Sequence, residues 1–387
     1  MKKLIAILLV CLLATSALVA CGNGDVAVED PPAQVEDPPA EDPAVEDPPA
    51  EDPAVEDPPA EEANEISYVA VISKGFQHQF WQAVYAGARA AGETYGVAVS
   101  FDGPPSEADI GPQLEMLRSA LARDPDAIAF AALDTEAALA ELADAYARGI
   151  PVIGFDSGIP DAPPGQVLAT AATDNIAAGA VGATHMFPEI SDAVAAATEA
   201  DPVVIAVLSQ DATSESVTGR TQGFAEEMYR LAGGVNDSVA IVGGLARINT
   251  GDAGAAVIID VTVGATPDIS DMTSAALAVL GTPNLLGVFC SNEGAVMGLL
   301  GTIGAGTVVP DGVILVGFDA GSAQKEAVET GLMFGSVTQD PFQIGYQAVS
   351  LAVRAARGES VADVDTGAQW WNSENMHNED IAILLYD

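Results

Sequence analysis

Basic residues are scarce in this sequence, and their scarcity limits its possible partners. The 387 residues include 13 lysines and arginines against 56 aspartates and glutamates, for a formal net charge of −43. The first 65 residues hold 16 of the acids and two of the bases, which leaves 40 acidic residues against 11 basic ones. Such a surface repels phosphate backbones, which argues against nucleic acid as a partner. The excess of acid fits either life in high salt or an alanine-rich composition.

Cysteine is equally rare, which excludes a disulfide framework. Of the three cysteines, Cys11 and Cys21 lie in the first 21 residues, so Cys290 stands alone in the rest of the chain. One thiol cannot form an intramolecular disulfide. The folded part must therefore be held together by its apolar core.

Residue patterns needed for catalysis are missing as well. The three histidines, at positions 78, 185 and 377, lack metal-ligand spacing. The sequence contains no Gly-x-Ser-x-Gly elbow, and no glycine-rich phosphate loop follows the first predicted strand. We therefore predict a binding protein rather than an enzyme, without a metal or a cofactor.

The N-terminus has the features of an export signal. Lys2 and Lys3 precede an apolar run over residues 4–13, which is too short to be a good bilayer span. The sequence Leu-Val-Ala before Cys21 resembles a bacterial lipobox, where a peptidase cuts before a cysteine that receives a lipid. We expect residues 1–20 to be a lipoprotein signal peptide and Cys21 to be lipidated. The alternative is an ordinary signal peptide with a chance cysteine.

Residues 21–65 have a strongly biased composition. Val-Glu-Asp-Pro-Pro-Ala units repeat, and no basic residue occurs between Lys3 and Lys74. Frequent proline blocks helices and sheet ladders, and the carboxylates repel one another. We predict an extended, disordered stalk between the lipid and the folded body. A segment that binds cations or wall polymer is the alternative.

From residue 66 onward, apolar strands alternate with amphipathic helices. In the helix predicted over 80–95, for example, Trp81, Val84 and Ala88 share one face. Such an alternation indicates parallel sheets covered on both faces by helices. The predicted strands are 68–72, 97–101, 127–130, 151–155, 203–208, 257–261, 287–290 and 313–318, and the predicted helices include 80–95, 109–123, 136–148 and 176–186.

The pattern restarts near residue 174, which favours two similar doubly wound α/β lobes. In open parallel sheets, ligands bind beyond the carboxyl ends of the strands, so two facing sheets would form a cleft. Residues directly after strands are therefore the candidates for a binding site.

Aromatic and polar side chains follow the first predicted strand. Aromatic faces can stack on the C–H faces of sugar rings, while imidazole can reach hydroxyl groups. Trp81 and Phe80 have a second interpretation as the core stripe of their helix. The candidates here are Phe76, His78, Phe80 and Trp81.

Other strand ends supply carboxylates and amides. Asp156, followed by Ser157, can accept two hydroxyl hydrogen bonds at once, or it can be a helix N-cap. Arg220 is a lone base in an acidic region. Each of these residues could be an ordinary cap or surface residue, but together they have the polar types that a polyol needs. The later candidates are Asn292, Glu293, Asp319 and Gln339.

These segments resemble the ribose-binding and related sugar-binding members of the periplasmic binding protein type I family, the solute receptors of ABC importers. The resemblance runs from about residue 66 nearly to the C-terminus. It implies two doubly wound parallel-sheet lobes joined by a three-crossing hinge: lobe 1 over 66–173, lobe 2 over 174–338, and residues 339–387 returning to lobe 1 before a C-terminal hinge and lobe 2 segment. It is carried by Phe80-Trp81, Phe155-Asp156, Ser291-Asn292-Glu293 and Val316-Gly317-Phe318-Asp319.

The resemblance also implies roles for the candidate residues. It makes Asp156 a hydroxyl-binding aspartate, Arg220 the second-lobe arginine and Gln339 a hinge glutamine. The ring-contacting loop would be His78, Phe80 and Trp81, and the family's Asn-Asp pair would be Asn292 and Glu293.

Several departures from the ribose-binding pattern affect the expected ligand. Ser157 stands where ribose receptors have an arginine, and Glu293 replaces a shorter acid. The asparagine that the family usually supplies before Asp271 has no clear counterpart. A monosaccharide, deoxy sugar or similar small polyol is therefore expected rather than ribose itself.

The resemblance implies a monomeric receptor outside the cytoplasm, anchored to the membrane by its lipid, that closes on its solute and is read by an ABC permease. A receptor with the same lobes that reports to a sensor kinase or chemoreceptor, or binds a furanone-type autoinducer, is the alternative. A transcription regulator would need a basic helix-turn-helix at the N-terminus, where this chain has a signal and an acidic stalk.

Overall fold

The computed structural model describes residues 65–76 and 78–386. The predicted signal peptide, Cys21 and the predicted stalk up to residue 64 lie outside the described residues, so these remain predictions.

The first sheet is built from six of the described strands, all parallel. Alternate residues of its first strand face opposite layers: Val69 and Val71 enter one apolar cluster, and Ala70 and Ile72 enter another. Both faces of the sheet are therefore buried. The strands are β1 Tyr68–Ile72, β2 Ala98–Asp102, β3 Ala127–Phe130, β4 Val152–Phe155, β5 Ala169–Ala172 and β12 Val364–Asp365. Their order across the sheet is β12-β5-β4-β3-β1-β2.

The second sheet is built from seven of the described strands. Its last strand pairs antiparallel with its neighbour, with Trp371 opposite Ser336. The strands are β6 Val203–Ser209, β7 Val239–Gly243, β8 Val257–Val263, β9 Leu285–Cys290, β10 Ile314–Phe318, β11 Gly335–Gln339 and β13 Ala368–Trp371. Their order across the sheet is β13-β11-β10-β9-β6-β8-β7.

Helices cover both sheets. Trp81, Val84, Ala88 and Ala91 form the buried stripe of the first helix, as the apolar spacing predicts. The helices are α1 Phe80–Tyr95, α2 Ile110–Ala122, α3 Leu139–Ala147, α4 Asn175–Ala196, α5 Glu215–Gly233, α6 Ile269–Leu280, α7 Glu293–Gly304, α8 Ser322–Glu329, α9 Pro341–Ala356 and α10 Glu379–Ala382, with a 3₁₀ turn at Ala246–Ile248.

The chain passes between the two sheets three times: after β5, after β11 and between β12 and β13. Helix α9 packs on α1 and on the first sheet. We call the first sheet with α1–α3 and α9 the first lobe, and the second sheet with α4–α8 the second lobe. The predicted fold class, two parallel-sheet α/β lobes, is thus confirmed. Gln339, which the family resemblance makes a hinge residue, is the last residue of β11 in the second lobe.

One predicted helix ends too early. Helix α4 continues past Met186 to Ala196 and contains Pro188. The helix continues because Met186, Ile190 and Val194 extend its buried stripe into the second core, and this packing outweighs the hydrogen bond that proline removes.

Glycines bring a helix pair into backbone contact in each lobe. A Cβ built on Gly345 of α9 would lie 1.9 Å from the carbonyl oxygen of Val84 in α1. In the second lobe, a Cβ on Gly223 of α5 would lie 1.9 Å from the carbonyl oxygen of Ile176 in α4. Since only glycine allows so close an approach, these crossings fix the position of α1 and α5, whose N-terminal turns face the space between the lobes.

Candidate ligand-binding site

Residues from both lobes line a narrow cavity of about 20 Å³ at the carboxyl ends of the strands. This space holds about one water molecule and is far below the usual volume of a small-molecule site. Of the predicted ligand-binding residues, all except Phe76 and Ser157 line it. The lining residues are Lys74, His78, Phe80, Trp81, Glu107, Asp156, Arg220, Asn292, Glu293, Asp319 and Gln339.

Aromatic rings form one wall of the cavity. Phe80 and Trp81 meet edge to face with centroids 4.9 Å apart, and Trp81 packs in the same manner on Phe155 at 6.3 Å. Both residues are buried and also belong to the core of the first lobe. The two interpretations drawn from the sequence, core stripe and cavity wall, therefore describe the same side chains.

Lys74 forms a buried ion pair with Asp156 in the first lobe. Its Nζ lies 3.0 Å from Asp156 Oδ2 and donates to Ser216 Oγ at 2.9 Å and Ser157 Oγ at 3.3 Å. Burial lowers the pKa of Lys74, but the carboxylates of Asp156, Glu107 and Asp211 outweigh burial and raise it above its ordinary value. Lys74 is therefore charged, and it compensates a buried carboxylate.

Arg220 lies between a carboxylate from each lobe. Its Nη2 is 3.8 Å from Asp156 Oδ1, and its Nη1 is 3.7 Å from Asp319 Oδ2. Its Nε donates to Asn175 Oδ1 at 2.9 Å, and its Cζ lies 4.0 Å above the ring of Phe318. The stacking and the amide fix the guanidinium, while the carboxylates are just beyond hydrogen-bond distance.

Asp319 is held by a second set of contacts. Gln339 Nε2 donates to its Oδ1 at 2.8 Å, and the backbone N–H of Glu293 donates to its Oδ2 at 3.0 Å. Burial raises the pKa of Asp319 despite the opposing effect of Arg220. Burial also raises the pKa of Glu293 to about 7, partly offset by His78 and reinforced by Asp319. Glu293 can therefore donate or accept a hydrogen bond near neutral pH.

The sequence interpretation missed two charged residues of the cavity, Lys74 and Glu107. Glu107 accepts hydrogen bonds from Trp81 Nε1 at 2.8 Å and Gln210 Nε2 at 2.9 Å. Burial would raise the pKa of Glu107, but His78, Lys74 and these hydrogen bonds lower it below its ordinary value. Both residues follow strands, β1 and β2, which is a positional signal, but their charge alone predicts solvated side chains.

The structure places Phe76 and Ser157 outside the cavity. The Phe76 ring is 43% exposed and packs on Phe101 at 5.7 Å. Ser157 is buried where the lobes meet, with its Oγ 2.8 Å from Ser216 Oγ.

Two predicted residues had helix capping as an alternative role. Asn292 does cap α7, since its Oδ1 accepts from Ala295 N at 3.1 Å, and its Nδ2 donates to Gln210. Asp156 caps no helix, because the next helix of the described chain begins only at Asn175.

Several buried polar atoms at the cavity make no hydrogen bond to any described residue: Arg220 Nη2, Glu293 Oε2 and Gln339 Oε1. A buried polar group without a partner costs about 1–3 kcal/mol. One donor and two acceptors are thus available to a ligand that both accepts and donates hydrogen bonds.

Most of the chain matches a known protein family. A model of the periplasmic binding protein domain matches residues 69–360. The chain belongs to the periplasmic binding protein family. This is the family of the type I sugar receptors, which are solute-binding proteins rather than enzymes, and membership places the chain outside the cytoplasm.

Three relatives show how far the similarity of this periplasmic binding protein extends. It is 40% identical to a solved structure described as an ABC transporter, LacI family transcriptional regulator from Brachyspira murdochii, covering 84% of this chain and 100% of that one, with a TM-score of 0.70. An ABC transporter solute binding protein from Agrobacterium vitis with bound D-fucose is 26% identical, over 83% of this chain and 100% of that one, with a TM-score of 0.68. The D-allose-binding periplasmic protein of Escherichia coli (strain K12) is 25% identical over 305 residues, which are 78% of this chain and 88% of that protein.

No helix in residues 65–76 and 78–386 is both long and apolar enough to cross a membrane. Within the same residues, no group of three or more His, Cys, Asp or Glu side chains could hold a metal ion.

Proposed function

We propose that this protein captures a monosaccharide between its lobes and delivers it to an ABC permease, while a lipid on Cys21 holds it at the outer face of the cell membrane. The observation that carries the proposal is the position of Arg220 between Asp156 and Asp319, beside buried polar atoms that make no hydrogen bond to a described residue.

The polar groups of the cavity match the hydroxyls of a sugar. A hydroxyl donates one hydrogen bond and accepts others, so one ring can accept from Arg220 and donate to Glu293 and Gln339. The buried carboxylates make such bonds charge-assisted, which roughly doubles their strength. The relatives with bound D-fucose and with a D-allose-binding name support the same class of ligand.

The aromatic wall of the cavity suits a single sugar ring. The faces of Phe80 and Trp81 suit the C–H face of a pyranose or furanose. Because the cavity is only about 20 Å³, the lobes must part to admit even one ring, which disfavours a longer oligosaccharide.

The lipid anchor is supported by the sequence. The Leu-Val-Ala segment before Cys21 resembles a lipobox, and the acidic, proline-rich residues that follow suit a spacer between lipid and receptor.

A calorimetric titration tests the ligand class. Protein with Cys21→Ser, purified without lipid, is titrated with D-allose, D-fucose, D-arabinose, D-ribose, D-glucose and small polyols. We expect one monosaccharide to bind with micromolar or tighter affinity and to raise the melting temperature by mass action. Binding of a non-sugar solute alone would overturn the proposed ligand class.

A variant pair tests the site. Arg220→Met removes the buried guanidinium and should abolish binding, because the sugar then faces carboxylates without a cation. The matched control is Arg247→Met, since Arg247 is exposed and does not line the cavity. Equal affinity of the two variants would show that the sugar binds elsewhere.

Uptake assays test the transport role. Deleting the gene should abolish uptake of the radiolabelled sugar at low concentration, and the intact gene should restore it. Unchanged uptake together with a lost chemotactic or transcriptional response would favour the sensing receptor instead.

A further inference from the structure

Gln79 of the first lobe caps a helix of the second lobe. It is the residue before α1, and its Oε1 accepts from both the backbone N–H and the Oγ of Ser322, each at 2.9 Å. Ser322 is the first residue of α8, whose N-cap, Gly321, supplies no side-chain hydrogen bond. A first-turn N–H has no partner within its own helix, so Gln79 provides one across the cleft.

The reverse contact occurs beside it. Glu293, the first residue of α7 in the second lobe, accepts hydrogen bonds from the backbone N–H groups of Gln79 and Phe80 at the start of α1. Gln79 makes no side-chain cap for its own helix. Each lobe therefore caps a helix of the other, and both contacts require the lobes to be closed.

We propose that Gln79 and Ser322 are positioning residues whose hydrogen bonds across the cleft stabilise the closed arrangement of the lobes without touching the ligand. Neither residue lines the cavity. When the lobes separate, water replaces the caps at the two helix N-termini. The caps therefore raise the ratio of closed to open protein. The proposal does not depend on which solute the protein binds.

The size of the effect follows from the contacts. A net hydrogen bond contributes about 1 kcal/mol, and 1.4 kcal/mol is a factor of ten, so each lost bond should lower the closed-to-open ratio about fivefold, and loss of both about 25-fold.

Spin-label distances measure that ratio directly. The full chain with Cys11→Ser and Cys21→Ser carries labels at Glu136→Cys in the first lobe and Arg247→Cys in the second, both exposed and both at the mouth of the cleft. Cys290 is buried, so the introduced cysteines take the label. Electron–electron double resonance without added sugar then gives the fractions of short and long distances.

Two variants remove the cap from opposite sides. Gln79→Ala removes the acceptor. Ser322→Pro removes both donors while suiting the first position of a helix, where proline is well tolerated. Gln82→Ala is the matched control, because Gln82 is an exposed glutamine of the same helix.

The proposal expects both cap variants to shift the distances toward the long population to the same extent, with no further shift in the double variant and none in Gln82→Ala. The melting temperature should change little, because the contact stabilises the closed arrangement of the lobes and not the fold of either lobe. Unchanged distances in Gln79→Ala, additive shifts in the double variant, or a parent without a short-distance population would each overturn it. Failure of every sugar to bind the parent would overturn the proposed function and leave this test intact.

Discussion

Asp156 and Asp319 occupy equivalent positions in the two lobes. Each follows a Gly-Phe pair at the end of a strand, β4 and β10, and each has a positive φ, 54° and 75°. The backbone N–H of each continues the ladder to the neighbouring strand, at 3.0 and 2.7 Å. Aspartate is among the few non-glycine residues that adopt this conformation readily, at a cost of about 1–3 kcal/mol. The strained turns direct the two carboxylates toward opposite sides of one guanidinium.

Asp156→Asn tests the charge without changing the backbone preference. Asparagine also tolerates a positive φ, so the turn is kept. The buried pair with Lys74 is lost as well, so affinity is measured at a temperature at which the variant is folded. A charge-assisted hydrogen bond contributes about 1.5–3 kcal/mol, which predicts about a 10- to 100-fold weaker sugar affinity by calorimetry. Asp124→Asn is the control, because Asp124 has a φ of 55° but lies on the surface in an ion pair with Arg148. Equal losses in both variants would contradict the assignment.

Glu293→Gln should change how stability depends on pH. The pKa of Glu293 is raised from an ordinary 4.5 to about 7. The folded protein therefore binds more protons than the unfolded chain between these values, and the stabilising contribution of the protonated acid is lost as pH rises from 4.5 through 7. Glutamine mimics the neutral acid, so the variant should gain on the parent by up to about 3 kcal/mol across this window.

Urea unfolding of parent and variant at pH 4, 5.5, 7 and 8 measures this difference. Carboxylates that do not interact with Glu293 titrate equally in both proteins, so their contributions cancel in the comparison. A difference that stays constant from pH 4 to 8 would show that Glu293 is not titrating in this range.

Lys74→Met should destabilise the protein strongly. It leaves Asp156 buried without its nearest cation, and breaking one side of a buried ion pair costs about 3–5 kcal/mol. Urea unfolding at pH 7 measures the loss. Lys325→Met, at the second lysine of the described chain, should cost less than about 1 kcal/mol, because Lys325 is only partly buried. A small effect of Lys74→Met would show that the pair contributes little net stability.

Two features of the sequence predict much of the fold and the site. The apolar runs of β1, β3, β4 and β6 indicate buried strands. The polar residues that follow strands lie at the cavity because parallel sheets bring the carboxyl ends of their strands together. Strands that lack apolar runs were missed, and so was β7, although its sequence Val-Ala-Ile-Val-Gly is apolar. Strand β5 is Ala-Thr-Ala-Ala and β11 is Gly-Ser-Val-Thr-Gln, and they are strands only because neighbouring strands pair with them.

The missed cavity residues have a different cause. A single lysine in a loop predicts a solvated charge, and Lys74 is buried only because Asp156 and Ser216 reach it from distant segments. Likewise Glu107 follows two prolines in a loop, and its partners Trp81 and Gln210 come from different lobes. Phe76 shows the opposite error, since its ring packs on the outer aromatic Phe101. Local sequence carries no information on such long-range pairings.

Cys21→Ser should abolish lipidation of the protein. Without the thiol no thioether to a lipid can form, so the protein should no longer incorporate labelled fatty acid. Cys11→Ser changes a cysteine within the predicted signal and should leave the incorporation unchanged. Incorporation of fatty acid that survives Cys21→Ser would contradict the lipid anchor.

Gly223→Ala should weaken both the fold and the site, because α5 carries Arg220 and crosses α4 in backbone contact. Its added Cβ would lie 1.9 Å from the Ile176 carbonyl oxygen, so the helices must separate, at a cost of about 1–3 kcal/mol. The guanidinium moves with the helix, and sugar affinity should fall in parallel. Gly233→Ala is the control at the other end of α5, where an added Cβ meets no atom within 4 Å. Alanine is the better helix former by about 1 kcal/mol, so this variant should be neutral or slightly more stable in urea and bind sugar normally. Equal stability of the two variants would show that the crossing does not position Arg220.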